Sequence, residues 1–183
     1  ICVVAYNCVS KRVHLFRTNE IFDKESPYYT TNARINLCAV EKEVGIRIDM
    51  PQGDIILDDM LSMFPFKNQL VYVEHKGKQI RAILEEMAAD RFQVLGGVKV
   101  VAEDGRLVSV EIDGEPLDDE KVYGLATNSF LLNGGDGLYL ASDALLVQDL
   151  GLLVNDVVLE HIKAETAAGR ALSGRKDGRV TIR

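Results

Sequence analysis

Four short stretches of this chain hold residues that could act together chemically: FRTNE with Arg17 and Glu20, VGIR with Arg47, MFPF with Phe66, and SFLLNGGDG with Phe130, Asn133, Gly135 and Asp136. Two aromatic faces can sandwich a flat heterocycle, a contact worth about 1–3 kcal/mol per ring when a stacking side chain is truncated. Arginine forks match the oxygens of carboxylates and phosphates. An aspartate can accept from a pair of hydroxyls. Glycines let a backbone come close to a bound molecule. Together these types suit an aromatic ring that carries a hydroxylated, anionic tail. Each residue also has an ordinary role open to it: Phe66 and Phe130 as core, GGDG as a turn, and the two arginines as solvated surface. Spacing alone does not choose between these readings.

Other chemistries lack their residues. The three histidines, His14, His75 and His161, have no second ligand at metal-site spacing and read as satisfied or solvent-facing side chains. There is no G-x-S-x-G elbow, no G-x-x-x-x-G-K-[ST] phosphate loop and no G-x-G-x-x-G dinucleotide loop. Glu85 and Glu86 are neighbours on a helical stretch, so they face different sides and form no acid/base pair. No self-contained active site, metal site or cofactor site is expected.

The bulk numbers fit one domain. The chain has 183 residues, 47% hydrophobic and 27% charged, with a net charge of −7. That charge argues against a nucleic-acid partner, which needs a basic face. Cys2, Cys8 and Cys38 give no complete disulfide framework and no zinc spacing. No run approaches the ~18 apolar residues of a membrane span. The opening ICVVAYNCVSKRV does not have the pattern of a secretory leader.

The elements that must position the four stretches can be read coarsely. ICVVAY, RVHLFR, RINLCAV (34–40) and QLVYVEH (69–75) read as strands, and NEIFDKESPYYTTN (19–32) as a loop. LDDMLSMF (57–64) reads as a short helix with Leu57, Met60, Leu61 and Phe64 on one face, capped by Asp58 or Asp59 and stopped by Pro65. KQIRAILEEMAAD (78–90) is a helix with Ile80, Ile83, Leu84 and Met87 at helical spacing. GVKVVAE and LVSVEI flank an Asp-Gly pair and predict a hairpin. VYGLATNSFLL (122–132) reads as a strand, LLVNDVVLEHIKAETAAG (152–169) as a helix with Leu153, Val157 and Ile162 inward and Gly169 as its stop, and GRVTIR as a closing strand. Strands and helices mix without regular alternation, which predicts an α+β fold.

The four stretches, in this order, resemble the C-terminal domain of the 5′-nucleotidase family, which includes UDP-sugar hydrolases. The likeness extends through GDIILDDMLSMFPFKNQLVYVEHKGKQIRAILE, FQVLGGVKVV, GEPLDDEKVYGLATNSFLLNGGDG and KDGRVTI. The resemblance implies a four-layer α/β/β/α sandwich formed by residues 1–183 as a single domain. It implies that Phe66 and Phe130 hold a nucleobase, that Asp136 binds ribose hydroxyls, and that Arg17, Arg47, Asn133 and Gly135 complete the site. Hydrolysis in such proteins belongs to a separate N-terminal metallophosphoesterase domain with two divalent metals, which this chain lacks. A nucleoside or nucleotide ligand, a metallophosphoesterase domain or subunit as partner, and a periplasmic or cell-surface location follow by resemblance.

The sequence also departs from the pattern. KEVGIR stands where the family has N-G-G-G-I-R, so Lys42, Glu43 and Val44 replace an asparagine and two glycines. Glu43 opposes an anionic ligand unless Lys42 pairs with it. The family's helix after R-x-x-E is missing, and IFDKESPYYTTNA spans the gap, either as a short loop or with residues lacking between Tyr29 and Asn32. Two functions follow. One is a nucleotide-recognition domain of a 5′-nucleotidase-type phosphate-ester hydrolase. The other is a non-catalytic interaction or scaffold domain with an eroded pocket.

Overall fold

The computed structural model describes residues 2–7, 12–17, 34–38, 54, 56–170 and 178–183. Three sheets occur among these residues. Strands β1 (Cys2–Asn7) and β2 (Arg12–Arg17) form an antiparallel pair with Cys2 opposite Arg17. The central sheet has five strands in the order β10-β4-β9-β3-β5: β3 (Arg34–Cys38), β4 (Gln69–Lys76), β5 (Val94–Gly96), β9 (Val122–Asn128) and β10 (Leu146–Leu153). It is mixed, because β3 runs parallel to β9 while β4 runs antiparallel to it. The third sheet joins β6 (Val98–Glu103), β7 (Arg106–Ile112), β8 (Glu115–Pro116) and β11 (Val180–Ile182). The fold is α+β, as the sequence predicts.

The cores follow from alternation. In β4, Val71, Val73 and His75 share a face with Thr127, Leu125 and Tyr123 of β9, their register partners. That face packs with α2 (Gly77–Ala89) and with the inner face of the third sheet, where Val98, Val100, Val110 and Ile112 are buried. The opposite face carries Leu70, which joins Met60 of α1 (Leu57–Met63) and Val154 and Val158 of α4 (Val154–Ala167). So β4 is buried on both faces, as a central strand should be. Outward positions of the third sheet are polar or solvated, with Lys99 and Glu111 paired across the strands at 3.6 Å and Val108 exposed. Its predicted hairpin turns at Asp104 and Gly105, with φ of 49° and 72°, as a two-residue primed turn requires.

Helix α2 buries Ile80, Leu84 and Met87 as the periodicity predicts. Three local readings need correction. In α1, Met63 is buried with Met60, while Leu57 and Leu61 are exposed, so the buried face is rotated from the expected one. Its start is held by Asp59, whose Oδ2 accepts the Ile56 N–H at 2.9 Å. The helix expected to begin at residue 152 begins at Val154, and its first apolar residues belong instead to β10, a strand not expected from the sequence. The strand expected over 122–132 ends at Asn128, and Ser129–Leu132 form a helical turn, α3. The expected loop over 19–32 lies outside the described residues.

Candidate functional site

The site is built at one end of the β4–β9 ladder. The last register pair there is Leu70 with Asn128. One step further, the Gln69 N–H donates to Ser129 Oγ at 3.0 Å. Phe66 precedes this junction by three residues on the chain entering β4, and Phe130 follows it directly on the chain leaving β9. Pro65 separates Phe66 from α1, so the chain from Phe64 to Asn68 is loop. Both phenylalanines therefore leave the same end of neighbouring strands. Their exposures are 41% for Phe66 and 39% for Phe130. Neither is a fully buried core residue, so the core role open to them from sequence alone is not the one they take.

The chain turns helical at Phe130 because Asn128 is a helix cap. Its Oδ1 accepts the Leu131 N–H at 3.0 Å. Asn128 is itself buried, and Leu131 is fully buried, which fixes the rotation of α3. Asn133 Nδ2 donates to the Ser129 carbonyl at 2.7 Å and closes the turn.

The glycine loop is then held between two rings. A Cβ added to Gly135 would lie 2.6 Å from Cγ of Phe130 and closer still to Cδ1 and Cε1. A Cβ on Gly134, where φ is +98°, would lie 2.8 Å from Cζ of Tyr139. The Phe130 and Tyr139 rings thus occupy the spaces left by two missing side chains. Asp136 follows in a left-handed conformation, φ 53° and ψ 27°, which aspartate tolerates better than most residues. Its Oδ2 accepts from Gln93 Nε2 at 2.9 Å. A cleft of about 250 Å³ opens beside this pair, lined by Glu86, Asp90, Arg91, Gln93, Asp136 and Leu138.

The returning chain is pinned by His75. Its Nε2–H donates to the Leu140 carbonyl at 2.9 Å, and the ring is fully buried. Burial lowers its pKa below the ordinary 6.5, partly opposed by that hydrogen bond and by Asp143. Of the two roles read for the histidines, His75 takes that of a buried, hydrogen-bonded one.

Phe130, Asn133, Gly135 and Asp136 thus lie on the chain that leaves this end of β9, and Phe66 on the chain that enters β4 there; neither phenylalanine lines the cleft beside Asp136. Arg17 closes β2, and its side chain is outside the described residues, as are Arg47 and the rest of KEVGIR. Gln93, bonded to Asp136, and Tyr139, whose ring lies beside Gly134, also touch this loop and were not singled out from the sequence. Among the described residues no group of three or more His, Cys, Asp and Glu side chains could hold a metal ion, and no helix is long and apolar enough to cross a membrane.

The family described as 5′-nucleotidase, C-terminal domain matches residues 21–143. Protein UshA of Escherichia coli is 36% identical over 104 residues, which cover 54% of this chain and 19% of that protein. The trifunctional nucleotide phosphoesterase protein YfkN of Bacillus subtilis is 28% identical over 158 residues, covering 78% of this chain and 11% of that one. The crystal structure of a 5′-nucleotidase precursor from Thermus thermophilus superposes with a TM-score of 0.72 at 27% identity, over 90% of this chain and 34% of that one. The chain spans about a fifth of the length of the UshA relatives it matches.

Proposed function

Because this chain belongs to the 5′-nucleotidase C-terminal domain family, we propose that it is the nucleotide-recognition domain of a 5′-nucleotidase-type phosphate-ester hydrolase that acts in nucleotide catabolism. The observation that carries this reading is the placement of Phe66 and Phe130. Two large aromatic residues leave adjacent strand ends and stay about two-fifths exposed, where ring stacking on a base would cover them. Asp136 lies six residues beyond Phe130 in the same loop, and its carboxylate can accept from ribose hydroxyls. Asn133 and Gly135 shape that loop. Arg17 and Arg47 would supply donors for the phosphate end.

The chain's own residues would then bind and orient the base and the sugar. Hydrolysis would take place on a metallophosphoesterase domain or subunit, whose two divalent metals would activate water and neutralise developing charge. Positioning by a remote domain lowers the barrier only if it holds the ester bond against that centre. An exported location, periplasmic or at the cell surface, suits such a protein.

The test is calorimetric titration of the chain with adenosine, AMP and UDP-glucose without metal. Binding in the micromolar range that is lost in Phe130→Ala is expected. A well-folded sample that gives no heat with any of the three overturns the reading and leaves the scaffold function.

A further inference from the structure

We propose that Gln93 is a positioning residue for the sugar-binding carboxylate of Asp136, and so sets how strongly the site depends on ribose hydroxyls. This rests on the nucleotide-recognition reading above.

Gln93 is 3% exposed and lies just before β5, on the chain that returns from α2. Its Nε2 donates to Asp136 Oδ2 at 2.9 Å. A carboxylate only accepts, so the amide must present its NH2 group to Asp136. The other end of the amide, Oε1, is buried and makes no hydrogen bond among the described residues. A buried amide in an apolar setting is unfavourable unless its bonds are made. Among the described residues, the hydrogen bond of the Gln93 side chain goes to Asp136.

Asp136 needs such a hold. It lies in a left-handed conformation between Gly135 and Gly137, of which Gly137 is also left-handed. A carboxylate on a backbone of that kind has several orientations open to it. The Gln93 bond engages Oδ2 and leaves Oδ1 without a demand from Gln93. Asp136 and Gln93 both line the cleft. A pair of hydroxyls arriving there would meet a carboxylate already fixed in direction, which reduces the ordering cost of binding.

The test compares adenosine with 2′,3′-dideoxyadenosine on the wild type, Gln93→Met, Asp136→Ala and the double variant. Methionine matches glutamine in length and cannot donate. In the wild type adenosine should bind about tenfold tighter than the dideoxy compound, the scale of a charged hydrogen bond. Gln93→Met should shrink that ratio to about threefold or less while leaving the dideoxy affinity unchanged, since part of a charged hydrogen bond's worth is lost. Asp136→Ala should abolish the ratio, and adding Gln93→Met to it should change nothing further. A ratio that survives Gln93→Met overturns the proposal, as does an equal loss for both ligands.

The unliganded protein gives a second readout. Scalar couplings of Asp136 should report one χ1 rotamer in the wild type and an average in Gln93→Met. An unchanged rotamer overturns the proposal even if no nucleoside binds. A wild type that binds neither ligand, with the rotamer averaged in the variant, refutes the nucleotide reading but retains the positioning.

Discussion

Gly135→Ala isolates the role of the Phe130 ring. The added methyl would sit 2.6 Å from Cγ of that ring and closer to two further ring carbons. Ordinary contact begins at 3.4 Å, so the ring must retreat by about 1 Å at its nearest edge, whereas wider gaps already forfeit attraction. Gly135 does not have a positive φ, unlike Gly134 and Gly137. Alanine is therefore compatible with the backbone, and the clash falls on a partly exposed side chain that can swing. Folding should lose little, about 1 kcal/mol or less, the lower end of overpacking costs.

Binding should lose more. A gap of 0.5–1 Å forfeits roughly a quarter to a half of a dispersion well. Applied to a stack worth about 1–3 kcal/mol, that is a loss of about 0.3–1.5 kcal/mol, or up to about tenfold in Kd. Thermal unfolding and nucleoside titration on the same samples would check both halves. In the Phe130→Ala background, Gly135→Ala should have no further effect on affinity, because the ring it displaces is gone. Unchanged nucleoside affinity in Gly135→Ala, with a ring shown to have moved, would refute the stacking role. So would a loss that persists undiminished in the Phe130→Ala background.

Two further outcomes test the frame around the site. The depressed pKa of His75 means that the folded protein binds fewer protons than the unfolded chain as pH drops below 6.5. Its contribution is therefore complete above that value and is lost as pH falls through it towards the folded pKa. The urea midpoint should fall between about pH 7.5 and pH 5.5, and His75→Gln should flatten that slope; an equal slope in the variant counts against the assignment. Gly77→Ala should destabilise although alanine favours helices, because its Cβ would lie 2.7 Å from the backbone carbon of Asp118 and closer to the oxygen. A drop of about 1–3 kcal/mol by denaturant titration is expected from overpacking against backbone, and a gain would show that the α2 start is looser than the structure has it.

Much of the fold was legible because its residues keep a clean period. Helix α2 shows its face through Ile80, Leu84 and Met87, and the β6–β7 hairpin shows its turn through Asp104-Gly105. Strand β10 was not legible for a physical reason. It is an edge strand with Leu146, Val147 and Leu152 exposed, and its register slips between Asp149 and Leu153. Without burial there is no alternation to read, and its last apolar residues run directly into α4. In α1 a seven-residue helix offers two turns at most, too few to settle which methionine or leucine faces inward.

Phe130 shows a different limit. An apolar run, VYGLATNSFLL, continues the strand pattern past Asn128, but one side chain oxygen outweighs it. Asn128 satisfies the Leu131 N–H at 3.0 Å, and the backbone bends into α3. The grouping of Phe66, Phe130 and Asp136 as a set comes from family resemblance, and no pattern in the sequence alone joins them. Gln93 carried no such signal. A glutamine in FQVLGG has no special chemistry, and its partner lies 43 residues away.

The loop from Ser129 to Leu140 would be judged mobile from its glycines, yet it is tied to three places on the central sheet. Ser129 is bonded to the start of β4, Leu140 to His75 near the end of β4, and Asp136 to Gln93 at the threshold of β5. The glycines then have another purpose than looseness. At positions 134 and 135 they vacate the space that the Tyr139 and Phe130 rings fill. A recognition surface is more selective when its groups are fixed before the ligand arrives, because less ordering is charged against binding. The sequence NGGDG is thus better understood as a socket for two rings and a hook for one carboxylate than as a hinge. Its stiffness depends on residues far along the chain, which is why single changes at Gln93 or His75 should be felt at Asp136 and Tyr139.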